Sequence, residues 1–437
     1  MALSIERDRA ATPAVAGRDE DIYRRVARRL IPLLLVCYIV AMIDRLNVGY
    51  AKLQFMADLH FDEAVFGTAA GVLYLGYILF EVPSNLILQR VGLRVTLLRI
   101  MTLWGLFTMA IAFATTRTGF YTMRFMIGAA EAGFFPGVLF YFTLWFPNAW
   151  RARVFSLFAL GVPVSGVIAA PVSSWIMIHL NGAMGLRGWQ WLFLLEGAPA
   201  IILGVVAYFG LPNRPADAHF LSEPEQKAIE SDLAAERGGK PDKTNFVTAL
   251  SNPKTYVLAF VYFAFYATQS ILLLWMPTLL KNAGVSNLTE IGWRTSLIFA
   301  AGAVGMVAVG WHSDRRQERR LHLIGCAVAA SLALYALPLA AHAPDGATLA
   351  LAIAAMGIFA FLSLFWTVPT AVLGEGARAG GVALVSSIGA LGSVLSPIFL
   401  GWMQVLTGSF FAAIATLASV FLASMIALWF SAPRPAA

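Results

Sequence analysis

An all-α integral membrane protein, with twelve transmembrane helices in two six-helix halves, is the fold class this sequence predicts. Three observations carry that expectation: an apolar composition, twelve apolar stretches of spanning length, and a one-sided distribution of Lys and Arg. Of the 437 residues, 59% are hydrophobic and 13% charged. Soluble domains carry roughly half apolar and about a quarter charged residues. Single strands in lipid would leave backbone groups unsatisfied, so the spans are expected to be helices. Cys37 and Cys326 are the only cysteines. Both lie in apolar stretches, as packing residues and not as a disulfide framework.

Residues 1–28 form a polar tail of mixed charge. The tail has no apolar core and no small-residue cleavage site, so no removable signal peptide is expected. Stretches long and apolar enough to span follow at 29–50, 65–88, 93–114, 119–142, 152–175 and 190–211. Together they make an N-terminal half, 29–211. Pro212 and Pro215 end the sixth span. Residues 212–254 read as a cytoplasmic linker. Within it, Ser222 with Glu225 fits a capping box and predicts a surface helix running to Gly238 and Gly239. The linker's acids and bases nearly balance, which argues against nucleic acid as a partner. Six further stretches, at 255–280, 292–312, 322–341, 347–368, 378–403 and 407–430, make a C-terminal half, 255–430. Residues 431–437 are a short tail. The halves echo each other: the second span leads into "QRVGLRVTLLR" (89–99) and the eighth into "HSDRRQERR" (312–320).

With both termini inside, the outer loops hold only Lys52, Arg117, Arg187, Lys281 and Arg294. Arg45 and Arg124 lie within spans. All other Lys and Arg residues then fall on the inner side, as cytoplasmic loops require. The net charge of +7 is thus a topology signal.

Six charged residues sit inside spans: Asp44, Arg45, Glu81, Arg124, Glu131 and Glu196. Intramembrane charges are costly and mark functional candidates. At about 1.5 Å per residue, Asp44 lies about 9 Å and Arg124 about 8 Å from the same boundary. An Asp44–Arg124 pair across two helices is therefore expected. Glu131 follows Arg124 by seven residues, which returns it within about 20° of the same face and about 10 Å deeper. Two acids and two bases thus face one polar cavity. Glu81 and Glu196 are read as packing or polar contacts near helix ends. Trp366, in "SLFWTVP", stands in a run of small and polar residues and is a candidate for the cavity.

Other chemistries find no support. There is no Walker-A loop for a nucleotide, and the His residues show no metal spacing. No Gly-x-Ser-x-Gly element is present. No cofactor, metal site or enzymatic activity is expected. Asn287-Leu288-Thr289 matches a glycosylation pattern of the kind that arises by chance.

The stretches "IDRLNVGYAKLQFM", "LGYILFEVPSNLILQRVG", "RFMIGAAEAGFFPGVLFYFTLWFP", "RGWQWLFLLEGAPA" and "LPNRPADA" cover most of the N-terminal half. With the looser matches "GWHSDR" and "SSIGALGSVLSP", the chain resembles a bacterial member of the major facilitator superfamily, in its anion:cation symporter branch. That branch includes tartrate, phthalate and sugar-acid permeases. The resemblance implies a major facilitator fold in the bacterial inner (cell) membrane, with both termini cytoplasmic. It implies import of a small organic anion, a carboxylate, with protons by alternating access. The implied partners are that anion, protons and the lipid bilayer, with the chain acting as a monomer. By the same resemblance Asp44 and Glu131 are proton-coupling acids and Arg124 is the ion-pair partner. Arg45, Tyr77, Trp366 and Ser386 are the implied substrate-binding residues. Met42 stands where the branch often has Tyr, and Ser386 and Ala390 stand where it often has Asn. Fewer polar groups then face the cavity, which leaves room for a less polar carboxylate than a sugar acid. A proton-independent exchanger or uniporter is the nearest rival. A membrane sensor or interaction protein is the rival of another class, and the linker is short for a signalling domain.

Overall fold

The computed structural model describes residues 13–237, 250–340, 342–373 and 378–431. Arg7 and Arg9 of the tail, the linker segment 238–249 with Lys240 and Lys243, and residues 432–437 with Arg434 lie outside the described residues.

Among the described residues every regular element is helical. The N-terminal half comprises α1 (Pro13–Leu59), α2 (Glu63–Ile111), α3 (Arg117–Glu131), α4 (Phe134–Thr143), α5 (Asn148–Ala159), α6 (Gly161–His179) and α7 (Gly188–Gly210). The linker carries α8 (Glu223–Arg237). The C-terminal half comprises α9 (Pro253–Ser270), α10 (Met276–Asn282), α11 (Leu288–Arg316), α12 (Arg320–Ala336), α13 (Pro344–Phe365), α14 (Thr367–Val372), α15 (Arg378–Thr407) and α16 (Phe411–Ser431). A π-helical turn, Ile271–Trp275, joins α9 to α10.

Eleven stretches among the described residues are long and apolar enough to cross a membrane. One of them, α2, has 49 residues. At about 1.5 Å per residue it would run about 73 Å, more than twice a hydrocarbon core of about 30 Å. Its backbone leaves the helical region at Gly92, with φ 81° and ψ 170°. The chain turns there, so α2 supplies two spans and the bundle has twelve.

The fourth span differs from the sequence expectation. It is not one helix over 119–142 but breaks between α3 and α4. Ala132 has ψ 130°, and Gly133 takes φ 88°, a conformation that a side chain disfavours. A Cβ at Gly133 would also lie 2.5 Å from Ser84 Oγ. The break leaves Glu131 as the last residue of α3.

Close approach of α2 and α3 sets up the site. A Cβ at Gly128 would lie 1.8 Å from the Leu73 carbonyl oxygen, and one at Gly76 would lie 2.4 Å from that of Phe125. Small residues let helices touch where lipid gives no hydrophobic drive to associate. This contact brings Tyr74 and Tyr77 of α2 beside Arg124 and Glu131 of α3.

One end of the bundle is the linker face. There Tyr23 donates to Asp232 (2.7 Å), and Arg25 and Arg151 pair with Glu225 and Glu236, each at 2.7 Å. The Ser222 N–H donates to Glu225 Oε2 at 2.8 Å, starting α8 as the capping pattern predicts. At the opposite end, the far face, the halves touch. The Ser296 hydroxyl of α11 donates to the Val167 carbonyl of α6 at 2.9 Å. Lys52 departs from its expected place in an outer loop. It lies inside α1, 3% exposed, with Nζ 2.5 Å from Glu63 Oε2. Its ammonium also stands 3.9 Å from the Trp275 ring centre and 4.5 Å from that of Phe66. Desolvated cation–π contacts of this kind contribute on the order of 2 kcal/mol. Trp275 belongs to the C-terminal half, so this cage bolts the halves together at the far face.

Candidate functional site

About two-thirds of the way along α1, Asp44 and Arg45 point about 100° apart, as neighbours on a helix must. They therefore meet different helices. Arg45 Nε donates to Glu131 Oε1 at 2.8 Å, across α1 and α3. Its side chain keeps 20% of its exposure, whereas Glu131 keeps 3%. The guanidinium also sits 5.3 Å from the Tyr77 ring centre and 5.8 Å from that of Tyr74. Asp44 turns to the other side. Its Oδ2 accepts from Thr108 and its Oδ1 from Asn47, each at 3.0 Å.

The expected Asp44–Arg124 ion pair is not formed. Arg124 is buried in the same cluster and acts electrostatically on Asp44 and Glu131, but its Nε has no hydrogen-bond partner. The direct ion pair is Arg45–Glu131. Depth along two helices was the only coordinate the sequence offered. Rotation about each helix axis decides which side chains meet, and packing sets that rotation. Glu81, read from the sequence as a packing residue, also lies within electrostatic reach of Arg45.

The C-terminal half faces this cluster with aromatic rings. Tyr262 OH donates to Tyr266 OH at 3.1 Å. Trp366, at the junction of α13 and α14, packs edge-on to Tyr262 with ring centres 4.8 Å apart. Tyr266 lies within electrostatic reach of Arg45. Tyr77 thus touches Arg45 on one side and Trp366 touches Tyr262 on the other, with Tyr266 and Arg45 in electrostatic reach across the halves. Ser386 is half-buried on α15, three residues before Gly389, which packs on Tyr262.

The sequence model of the Major Facilitator Superfamily matches residues 34–397. The chain belongs to the major facilitator superfamily. A provisionally named metabolite transport protein, NicT, of Pseudomonas putida is 40% identical over 404 residues, 92% of each chain. A provisionally named tartrate transporter of Agrobacterium vitis is 39% identical over 406 residues, 93% of this chain and 90% of its own. The xylose transporter XylE from E. coli, solved in a partially occluded inward-open conformation, has a TM-score of 0.69 at 14% identity, over 93% of this chain and 96% of its own. That likeness is one of fold. This major facilitator protein is a multi-pass membrane transporter and not an enzyme.

Several site residues of this major facilitator protein escaped the sequence reading. Asn47 follows Asp44 by three residues, one helical turn, and that spacing was a usable signal. Gly133 and Pro136 in "EAGFFP" were usable punctuation for the broken helix. Thr108 and Tyr266 had no local signal, because only tertiary packing brings them to the charges.

Proposed function

We propose that the protein imports a small organic anion, a carboxylate, together with protons, by alternating access across a bacterial inner membrane. The Arg45–Glu131 pair carries this reading. Arg45 holds a guanidinium fork suited to a carboxylate, and it is the more exposed partner. A substrate carboxylate competes with Glu131 for that fork. Once displaced, Glu131 is a buried carboxylate without its cation, an arrangement that costs several kcal/mol. Protonation relieves that cost, so binding of the anion and of a proton favour one another. Asp44 is the second coupling acid, with Arg124 as its electrostatic partner. Tyr77, Trp366 and Ser386 line the path of the substrate's body. The name of one relative, a tartrate transporter, supports a carboxylate cargo.

The Lys/Arg distribution supports a cytoplasmic linker face, and residues 29–211 and 255–430 are the proposed moving halves of a monomer. Ala235 is exposed on α8. An Ala235→Cys variant lacking Cys37 and Cys326 is expected to resist an impermeant thiol reagent in intact cells. Ready labelling from outside overturns the orientation.

Uptake into reconstituted vesicles tests the function. A panel of tartrate, sugar acids, phthalate and hydroxyphenylacetate is offered with and without an imposed pH gradient. Accumulation of one of them that collapses with the gradient is the expected result. Uptake indifferent to the gradient assigns the protein to exchange or uniport instead.

A further inference from the structure

Glu196 reads in the sequence as a packing residue. In the structure it lies in the interior of α7 and is 5% exposed. Ser173 of α6 donates to its Oε1 at 2.7 Å, and its Oε2 has no partner. Asn47 lies against it, and the Asp44 carboxylate is near enough to act on it electrostatically. Asn47 therefore interacts with two carboxyl groups, Asp44 and Glu196. Its Nδ2 donates to Asp44, and its Oδ1 has no partner.

Neither carboxyl forms an ion pair among the described residues. The groups facing Glu196 are Asp44, Asn47 and Tyr50 from α1 and Ser173 from α6. Arg124 and Glu131 of α3 act on Asp44. Among the described residues no cation thus answers Glu196. Two buried like charges with one amide between them cost several kcal/mol. A single proton removes that cost. It also repairs the hydrogen bonding, because a protonated Oε2 becomes a donor and Asn47 Oδ1 is an acceptor in want of one.

We propose that Asp44 and Glu196 hold one proton between them and that Asn47 donates to whichever of the two is ionised. The arrangement in which Asn47 donates to Asp44 is the one with the proton on Glu196. When Glu196 ionises, it draws the Asn47 N–H groups to itself. Asp44 then loses a donor and takes the proton. The pair keeps its total charge while the proton changes sides. Glu196 is thereby a third acid of the machinery, acting on Asp44 through Asn47. Its place in coupling rests on the proposed proton symport, but the shared proton does not.

Infrared spectroscopy of the purified protein reads the proton directly. The wild type is expected to show the carbonyl band of a buried protonated carboxyl, sensitive to deuterium exchange, and Glu196→Gln is expected to lack it. A band unchanged in Glu196→Gln overturns the proposal. Should that variant fail to fold, Asp44→Asn reads the pair from its other side. With Asp44 neutral, Glu196 is free to ionise, and its band weakens as pH rises. A band with unaltered pH dependence overturns the proposal equally.

Transport supplies the second readout. Glu196→Gln is expected to lower gradient-driven uptake by at least about tenfold, the equivalent of one lost hydrogen bond to a charged group. Substrate-for-substrate exchange is expected to persist. Wild-type vesicles that ignore a pH gradient refute the symport reading alone, since the infrared bands still decide the shared proton. Gradient-driven uptake undiminished in Glu196→Gln refutes the role of Glu196 alone.

Discussion

The two halves share an architecture and divide the chemistry. Among the described residues every buried charged side chain lies in the N-terminal half: Asp44, Lys52, Arg124, Glu131 and Glu196. The C-terminal half buries Thr, Ser and Gln but no charge, and it meets the cluster with Tyr262, Tyr266 and Trp366. The difference has a physical reading. A buried ion network tolerates little change in its distances, because breaking one pair leaves a charge unanswered at a cost of about 3–5 kcal/mol. Held within one six-helix body, the network survives a rocking motion of the other body. Aromatic faces slide with less penalty, since their contacts are many and individually weak. In the proposed cycle the charged half binds and titrates, and the aromatic half closes.

The sharpest way to break this division is Glu131→Gln. A neutral amide mimics the protonated acid, so proton-driven accumulation is expected to vanish while substrate binding and exchange persist. Vesicle uptake with and without a pH gradient checks it. Accumulation retained in the variant returns Glu131 to a structural role.

Arg45→Lys comes next. Lysine keeps the charge but loses the planar fork and its contacts with the Tyr74 and Tyr77 rings. One to two charge-assisted hydrogen bonds are lost, so affinity is expected to fall by roughly 10- to 100-fold. Equilibrium binding to the purified variant measures this. Near-normal affinity removes Arg45 from the substrate site.

Lys52→Met tests how the halves are joined. Methionine fits an aromatic cage but leaves Glu63 without its cation. The far face is expected to open in a larger fraction of molecules. Met184 and Leu339 are the places to watch, being 88% and 90% exposed on the two halves at that face. Spin labels on cysteines there are expected to report a new, longer distance. An unaltered distribution shows that the close backbone contacts between the halves, of Gly67 with Pro397 and of Gly401 with Glu63, hold the face closed without Lys52.

The smallest effect lies in the linker between the halves. The Ser222 N–H, and then the Ser222 hydroxyl and Arg25, hold the Glu225 carboxyl below the usual carboxylate range. A depressed acid contributes stability above its unfolded value and loses it as pH falls through the folded one. Docking of α8 is therefore expected to loosen on acidification below the usual carboxylate range. Glu225→Gln is expected to remove that dependence at a cost under about 1 kcal/mol, because its ion pair with the exposed Arg25 lies at the surface and is screened by water. Hydrogen exchange of the α8 amides measures both. Equal pH dependence in the variant assigns the loosening to another group.

Much of this molecule was legible without coordinates. Runs of apolar residues long enough for lipid, punctuated by Pro212 and Pro215 and by basic loops, pointed to a helical membrane fold of two six-helix halves. The intramembrane positions of Asp44, Arg45, Arg124 and Glu131 marked the candidate cluster, because charge in a span is rare enough to be informative by itself. Composition and the Lys/Arg pattern suffice for these points because lipid imposes one rule on every residue of a span. Partnership obeys no such rule. Whether Arg45 or Arg124 takes the acid depends on the rotation of α1 against α3, which the contacts of Gly76 and Gly128 with opposing carbonyls set. Lys52 looked like a loop residue until α1 proved to continue past it into an aromatic cage built from the other half. Glu196 looked like packing until Asn47 was found between it and Asp44. Rise along a helix is a property of the local chain, and the sequence determined it. Azimuth between helices is a property of side chains distant in sequence that touch, and only the tertiary structure decided it.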